Sequence, residues 1–236
     1  MISDATGKSQ ALLSWSSGKD SAFALAVLRE ENALDVVGLV TTINAVAHRV
    51  AMHAVREDLL RLQAKAIGLP VWRIDIPSPC SNEEYEIAMA RLAAEAVEHG
   101  ITHMAFGDLF LTDVRAYREE QLCETGITPI FPLWKRNSTI LAHEMLASGV
   151  KAVVTCVDPK QVSPSFVGRE FDAAFLAELS ATCDPCGENG EFHTFTWDGP
   201  AFGHAVPISV GEIVERDGFV FADVVSVTER VTVGGQ

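Results

Sequence analysis

The stretch most able to do chemistry is Ser16-Ser17-Gly18-Lys19-Asp20-Ser21, set between an apolar run, Ala11-Leu12-Leu13-Ser14-Trp15, and a segment of helical character. Such a placement suits an anion, because the first N–H groups of a helix lack internal partners and the helix dipole is positive there. Gly18 lets the backbone approach a phosphate oxygen, Ser16, Ser17 and Ser21 offer hydroxyl donors, and Lys19 adds a point charge. Asp20 suits a metal-positioning or helix-capping role. The run is not a Walker A loop: Leu13 stands where its first glycine would be, and Asp20 follows the lysine in place of Ser or Thr. A bare helix cap with a solvated lysine is the plain alternative. The order strand, loop, helix favours phosphate binding.

Other residues extend this chemistry. Phe106-Gly107-Asp108 ends an apolar strand, giving Asp108 a magnesium or substrate-amine role beside Asp20. Arg115 and Arg118, one turn apart on the next helix, suit a phosphate or a carboxylate. His53 and Arg56 are three apart and share a helix face, and Thr41 and Thr42 end a strand. The densest polar run, Asp184 to Thr194, holds Gly187, Glu188, Gly190, Glu191, His193 and Thr194, a candidate substrate loop. Within it, Glu188 and Glu191 are candidates to orient an amine or take its proton. Cys183 and Cys186 lack the second cysteine pair of a zinc site and do not open a helix, so they read as free thiols.

Elements must bring these residues together. Ala11–Trp15, Val36–Thr42, Val71–Ile76 and Ile101–Phe106 read as strands, alternating with helices over 20–31, 51–67, a segment opened by a Ser81/Glu84 capping box, and 113–124. Alternation at this spacing predicts an α/β fold, a parallel sheet flanked by helices, with ligands at the carboxyl ends of its strands. Pro129–Trp134 reads as a stiff connector. Beyond it lie a helix over 138–148, a strand over 152–157, a helical stretch near 170–179, and an Asp217-Gly218 hairpin. The chain thus divides into residues 1–127, binding the nucleotide, and 128–236, a smaller α+β domain carrying the substrate loop.

Bulk properties narrow the partners. With 18 Lys plus Arg against 32 Asp plus Glu, the net charge of -14 opposes general nucleic-acid binding. No apolar stretch approaches the ~20 residues of a membrane span. Five scattered cysteines and no signal-peptide pattern point to reduced thiols and a cytoplasmic setting.

Taken in order, Ser16–Ser21, 52–56, 82–85, Phe106–Asp108, 131–134, 167–169 and 186–194 resemble the diphthine–ammonia ligase family of N-type ATP pyrophosphatases over nearly the whole chain. The resemblance implies an adenine-nucleotide α-hydrolase-like (HUP-type) domain, a smaller second domain, and an active site between them. It also implies ATP with Mg2+, a carboxylate-bearing substrate, and ammonia or an amine donor, with homo-oligomerisation open. The family's reaction amidates the carboxylate of diphthine on elongation factor 2. Two departures are visible. Ser17 replaces the usual middle glycine of Ser-Gly-Gly-Lys-Asp-Ser, and His193 stands where the family carries a glutamate. The ATP half therefore carries over more directly than the acceptor half. An ATP-binding regulator or nucleotide hydrolase without amide-forming activity is the alternative, and a tRNA-modifying enzyme runs against the charge.

Overall fold

The computed structural model describes residues 7–45, 49–50 and 55–227. In the first part lie β1 (Gln10–Ser14), α1 (Lys19–Glu31), β2 (Asp35–Asn44), β3 (Arg49–Val50), α2 (Glu57–Ile67), β4 (Val71–Ile76), α3 (Asn82–Glu98), β5 (Ile101–Ala105), α4 (Thr112–Leu122) and β6 (Thr128–Ile130). The second part holds α5 (Ser138–Ala147), β7 (Lys151–Val157), α6 (Ala173–Glu178), β8 (Phe192–Asp198), β9 (Ile208–Arg216) and β10 (Phe219–Ser226).

The first sheet runs β4-β2-β1-β5-β6, all parallel, and β3 pairs antiparallel with the last residues of β2. Central β1 shows why its sequence is continuously apolar: Leu12 packs with Met104 and the α3 residues Leu92, Ala93 and Ala96, and Leu13 packs in the core that contains α1 and α2. A strand covered on both faces has no polar side. The second sheet, β8-β7-β10-β9, is antiparallel. Its β9–β10 hairpin turns at Asp217 and Gly218, whose φ angles of 54° and 81° suit a two-residue type I′ turn.

Three elements differ from expectation. Pro129 lies in β6, at the edge of the first sheet, not in a connector; an edge strand has an unpaired side that tolerates an imide nitrogen. Helix α2 starts at Glu57. Arg56 is its extended N-cap, because Val50 N–H donates to Val55 C=O (2.8 Å) and holds the preceding backbone in a small antiparallel pairing. The helical stretch near 170–179 shortens to Ala173–Glu178, capped by Asp172, whose carboxylate accepts from Phe175 N–H (2.7 Å).

The two sheets meet at the loop between β1 and α1. Thr196 N–H donates to Ser17 C=O (2.9 Å), and Lys19 N–H donates to Thr194 Oγ1 (3.1 Å). Gln63, fully buried on α2, accepts from Trp15 Nε1 (3.1 Å) and donates to the carbonyls of Ser17 (3.1 Å) and Thr196. One amide therefore ties the end of β1, the loop and β8 together.

Candidate active site

The β1–α1 loop ends in Gly18, the N-cap of α1. Ser16 and Ser21 hydroxyls lie 3.2 Å apart, and Gly18 N–H donates to Ser16 Oγ (3.3 Å). Gly107, after β5, closes on the first turn of α1: a Cβ there would sit 3.2 Å from Asp20 C and Ser21 N, so a larger residue would require that backbone to give by a few tenths of an ångström. The loop lies at the carboxyl ends of the parallel strands, where such sheets bind ligands.

Two cavities adjoin it. One, of about 460 Å³, is lined by Trp15, Thr42, Met104 and Phe106 with Ser81, Asn82, Tyr85 and Met89 at the start of α3. The other, of about 700 Å³, holds Gly18, Lys19, Asp20, Gly107 and Asp108 opposite Gly187, Glu188, Gly190, His193 and Thr194. Ser14, Ser16 and Arg118 line both. The loop over 184–191 is thus brought against the phosphate loop from the second sheet.

Charge in the Glu188 cavity is arranged in pairs. Lys19 is buried, and its ammonium donates to both Asp20 oxygens (3.0 and 2.9 Å) and to Cys186 C=O, above the rings of Phe171 and Phe192. Burial pulls the Lys19 pKa down, but the Asp20 carboxylate, by its charge and its hydrogen bonds, outweighs it and the net shift is upward, so the cation persists. Arg118 Nε and Nη2 donate to Asp108 (2.6 and 3.2 Å), and its guanidinium lies 4.4 Å from the Phe106 ring centroid. Glu188 accepts from Leu109 N–H (2.7 Å). Burial pushes its carboxyl up to about 7, Asp20 and Asp108 adding to the rise while the Leu109 N–H and Lys19 oppose it. A carboxyl poised near neutrality is suited to accept a proton from an amine.

Several expected site residues lie elsewhere. Ser17 Oγ is buried without a hydrogen-bond partner, because a left-handed φ of 70° turns this residue inward. Thr41 is buried and its hydroxyl donates to Trp15 C=O (2.9 Å); strand alternation points Thr42 into the cavity lined by Tyr85 and Met89 instead. Arg56 and Arg49 both pair with Asp223 of β10, so Arg56 bridges to the second sheet and lines neither cavity. Arg115 pairs with Glu119 (2.7 Å) and stacks on Phe131 and Trp134, outside both cavities. Glu191 is buried and accepts from Asp184 N–H, Asn189 N–H and Asn189 Nδ2 (2.8, 2.9 and 3.0 Å), a clasp that holds the loop's shape. His53 lies outside the described residues.

Cys183 and Cys186 are free thiols, and burial raises the Cys186 pKa to about 12, so it stays protonated at neutral pH. Among the described residues no cluster of three or more His, Cys, Asp or Glu could hold a metal ion, and no helix is long and apolar enough to cross a membrane. Sequence reasoning missed Tyr85 and Met89 as cavity residues, and Gln63 altogether. Gln63 carried a signal: it stands four residues after Leu59, on the apolar face of α2, where a polar side chain needs a partner.

Family models for the diphthamide synthase N-terminal domain and the diphthamide synthase C-terminal domain match residues 7–129 and 137–227. The chain is 30% identical over 241 residues to a diphthine–ammonia ligase of Danio rerio, covering 89% of this chain and 90% of that protein. It is 31% identical over 182 residues to that of Mus musculus (69% of this chain, 67% of the relative) and 28% over 179 residues to that of Homo sapiens (69% and 67%). With both family models matched in order across most of its length, the chain belongs to the diphthamide synthase family.

Proposed function

We propose that this chain is an ATP-dependent, AMP-forming amide ligase, which activates a carboxylate with ATP and joins it to ammonia or an amine. The observation that carries it is the Ser16–Ser21 loop with the Tyr85 and Met89 cavity on one side and the Glu188 cavity on the other. Relatives named diphthine–ammonia ligase support the same class of chemistry.

Adenosine would lie against Tyr85, Met89 and Thr42, and the polyphosphate against Gly18 N–H, Ser16, Ser21 and the N-terminus of α1. The substrate carboxylate oxygen bonds to the α-phosphorus as the bond to the bridging oxygen breaks and pyrophosphate leaves with the electron pair. Ammonia or the amine then attacks the activated carbonyl, AMP departs, and Glu188 takes the surplus proton. Lys19, tied to Asp20 and Cys186 C=O, contributes positive charge from beneath the loop and holds the substrate loop against it. Mg2+ would accompany the nucleotide, with phosphate oxygens as its main ligands and Asp20 as the carboxylate nearest the loop. Asp108, engaged by Arg118 as Asp20 is by Lys19, is the second candidate. His193 lines the Glu188 cavity, and the acceptor is proposed only as a carboxylate.

Identifying the nucleotide product tests the assignment. With a carboxylate and amine screen, AMP and pyrophosphate are expected, and Lys19→Ala should abolish their release. ADP and phosphate would overturn it, and tight ATP binding without cleavage under every acceptor would favour a regulator.

A further inference from the structure

Arg118 is the charged residue that lines both cavities, and the two serines shared with it, Ser14 and Ser16, lie at the start of the phosphate loop. An adenine nucleotide spanning the cavities must pass its α-phosphoryl group through this junction, adenosine on one side and pyrophosphate on the other. The side chain is held there on two counts. Asp108 accepts from Nε and Nη2, and the Phe106 ring supports the guanidinium plane at 4.4 Å. Both Asp108 oxygens are used in this way, so the carboxylate acts on the arginine. Nη1 takes no part in these bonds and Arg118 lines both cavities, so its remaining donors are available there in the fixed fork geometry suited to phosphate.

We infer that Arg118 engages the α-phosphoryl group of the nucleotide and stabilises the charge that develops there, with Asp108 as its positioning residue. This rests on the ligase assignment for the chemical step alone. As the carboxylate oxygen bonds to the α-phosphorus and the bridging oxygen leaves, negative charge gathers on the non-bridging α-oxygens. A donor already held at that place needs no reorganisation.

Affinities for AMP and adenosine, measured by calorimetry on the full chain, test this without turnover. The wild type should bind AMP more tightly than adenosine. Arg118→Ala should lose about 10- to 100-fold in AMP affinity while adenosine affinity stays within about twofold. Arg118→Lys, which keeps the charge but not the fork, should fall between. Asp108→Asn should weaken AMP selectively, and Arg118→Ala/Asp108→Ala should be no worse than Arg118→Ala, since the second residue acts through the first. AMP formation by Arg118→Ala should drop about 10²- to 10³-fold and recover in part with added guanidinium. Equal losses for AMP and adenosine, or no loss for either, would overturn the inference. So would an Asp108→Asn variant whose only change is a higher magnesium requirement. A wild type that makes no AMP yet keeps an Arg118-dependent preference for AMP would sink the ligase assignment and leave this one standing.

Discussion

At the scale of single residues, the site is governed by burial. Glu188 has its carboxyl raised to about 7, so the folded chain binds a proton that the unfolded chain has already released above its ordinary range. The sign follows: this contribution to stability is complete below about pH 4.5 and is lost as pH rises through about 7. Glu188→Gln should flatten that part of the stability profile, by about 1–3 kcal/mol between the two ends, in urea titrations at a series of pH values. The same substitution should remove the rising limb of amide formation near pH 7; an unchanged limb would assign the proton acceptor to another group. Ser17 offers a second test. It holds a left-handed φ of 70° and an unpartnered buried hydroxyl, both of which glycine relieves. Ser17→Gly should stabilise the chain by about 1 kcal/mol, the strain and desolvation gained exceeding the entropy lost, and thermal unfolding would read it.

At the scale of elements, the site depends on how closely strand ends approach the phosphate loop. Gly107 meets the backbone of Asp20 and Ser21, and no flexible side chain lies there to yield. Gly107→Ala should therefore push the end of β5 off α1, at a cost of about 1–3 kcal/mol, and weaken ATP binding more than adenosine binding. Retained affinity with wild-type stability would mean the contact is looser than its 3.2 Å spacing implies. The helices obey local rules. The capping box between Ser81 and Glu84 forms as their spacing predicts, and α2 ends at Gly68 in the left-handed conformation.

At the scale of the whole molecule, the second sheet helps to hold the loop between β1 and α1. Thr194, Thr196 and Gln63 bind the loop that the first sheet presents, and Asp223 pairs with Arg49 and Arg56 further along the same boundary. The two sheets should unfold together in one transition. Gln63→Leu, which fits the volume but leaves Trp15 Nε1 and two carbonyls unpaired, should cost about 2–4 kcal/mol. It should also broaden or split the urea transition, followed by Trp fluorescence and circular dichroism in parallel. Coincident, unbroadened curves would show that the sheets stay coupled by other contacts.

The sequence by itself determined the parts whose signals are local. A continuous apolar run specifies a strand covered on both faces, an anion-binding loop needs only a strand end and a helix start, and Asp217-Gly218 selects its hairpin turn. These place the α/β fold, the phosphate loop and the Asp184–Thr194 loop in the right elements. What each side chain faces was decided by partners far along the chain. Asp223 draws Arg56 away from the cleft, the backbone around Asn189 claims Glu191, Asp108 fixes Arg118 between the cavities, and Cys186 C=O draws Lys19 beneath its loop. Charges and hydrogen bonds at such separations depend on distances that exist only after the two sheets have packed, so spacing along the chain does not encode them.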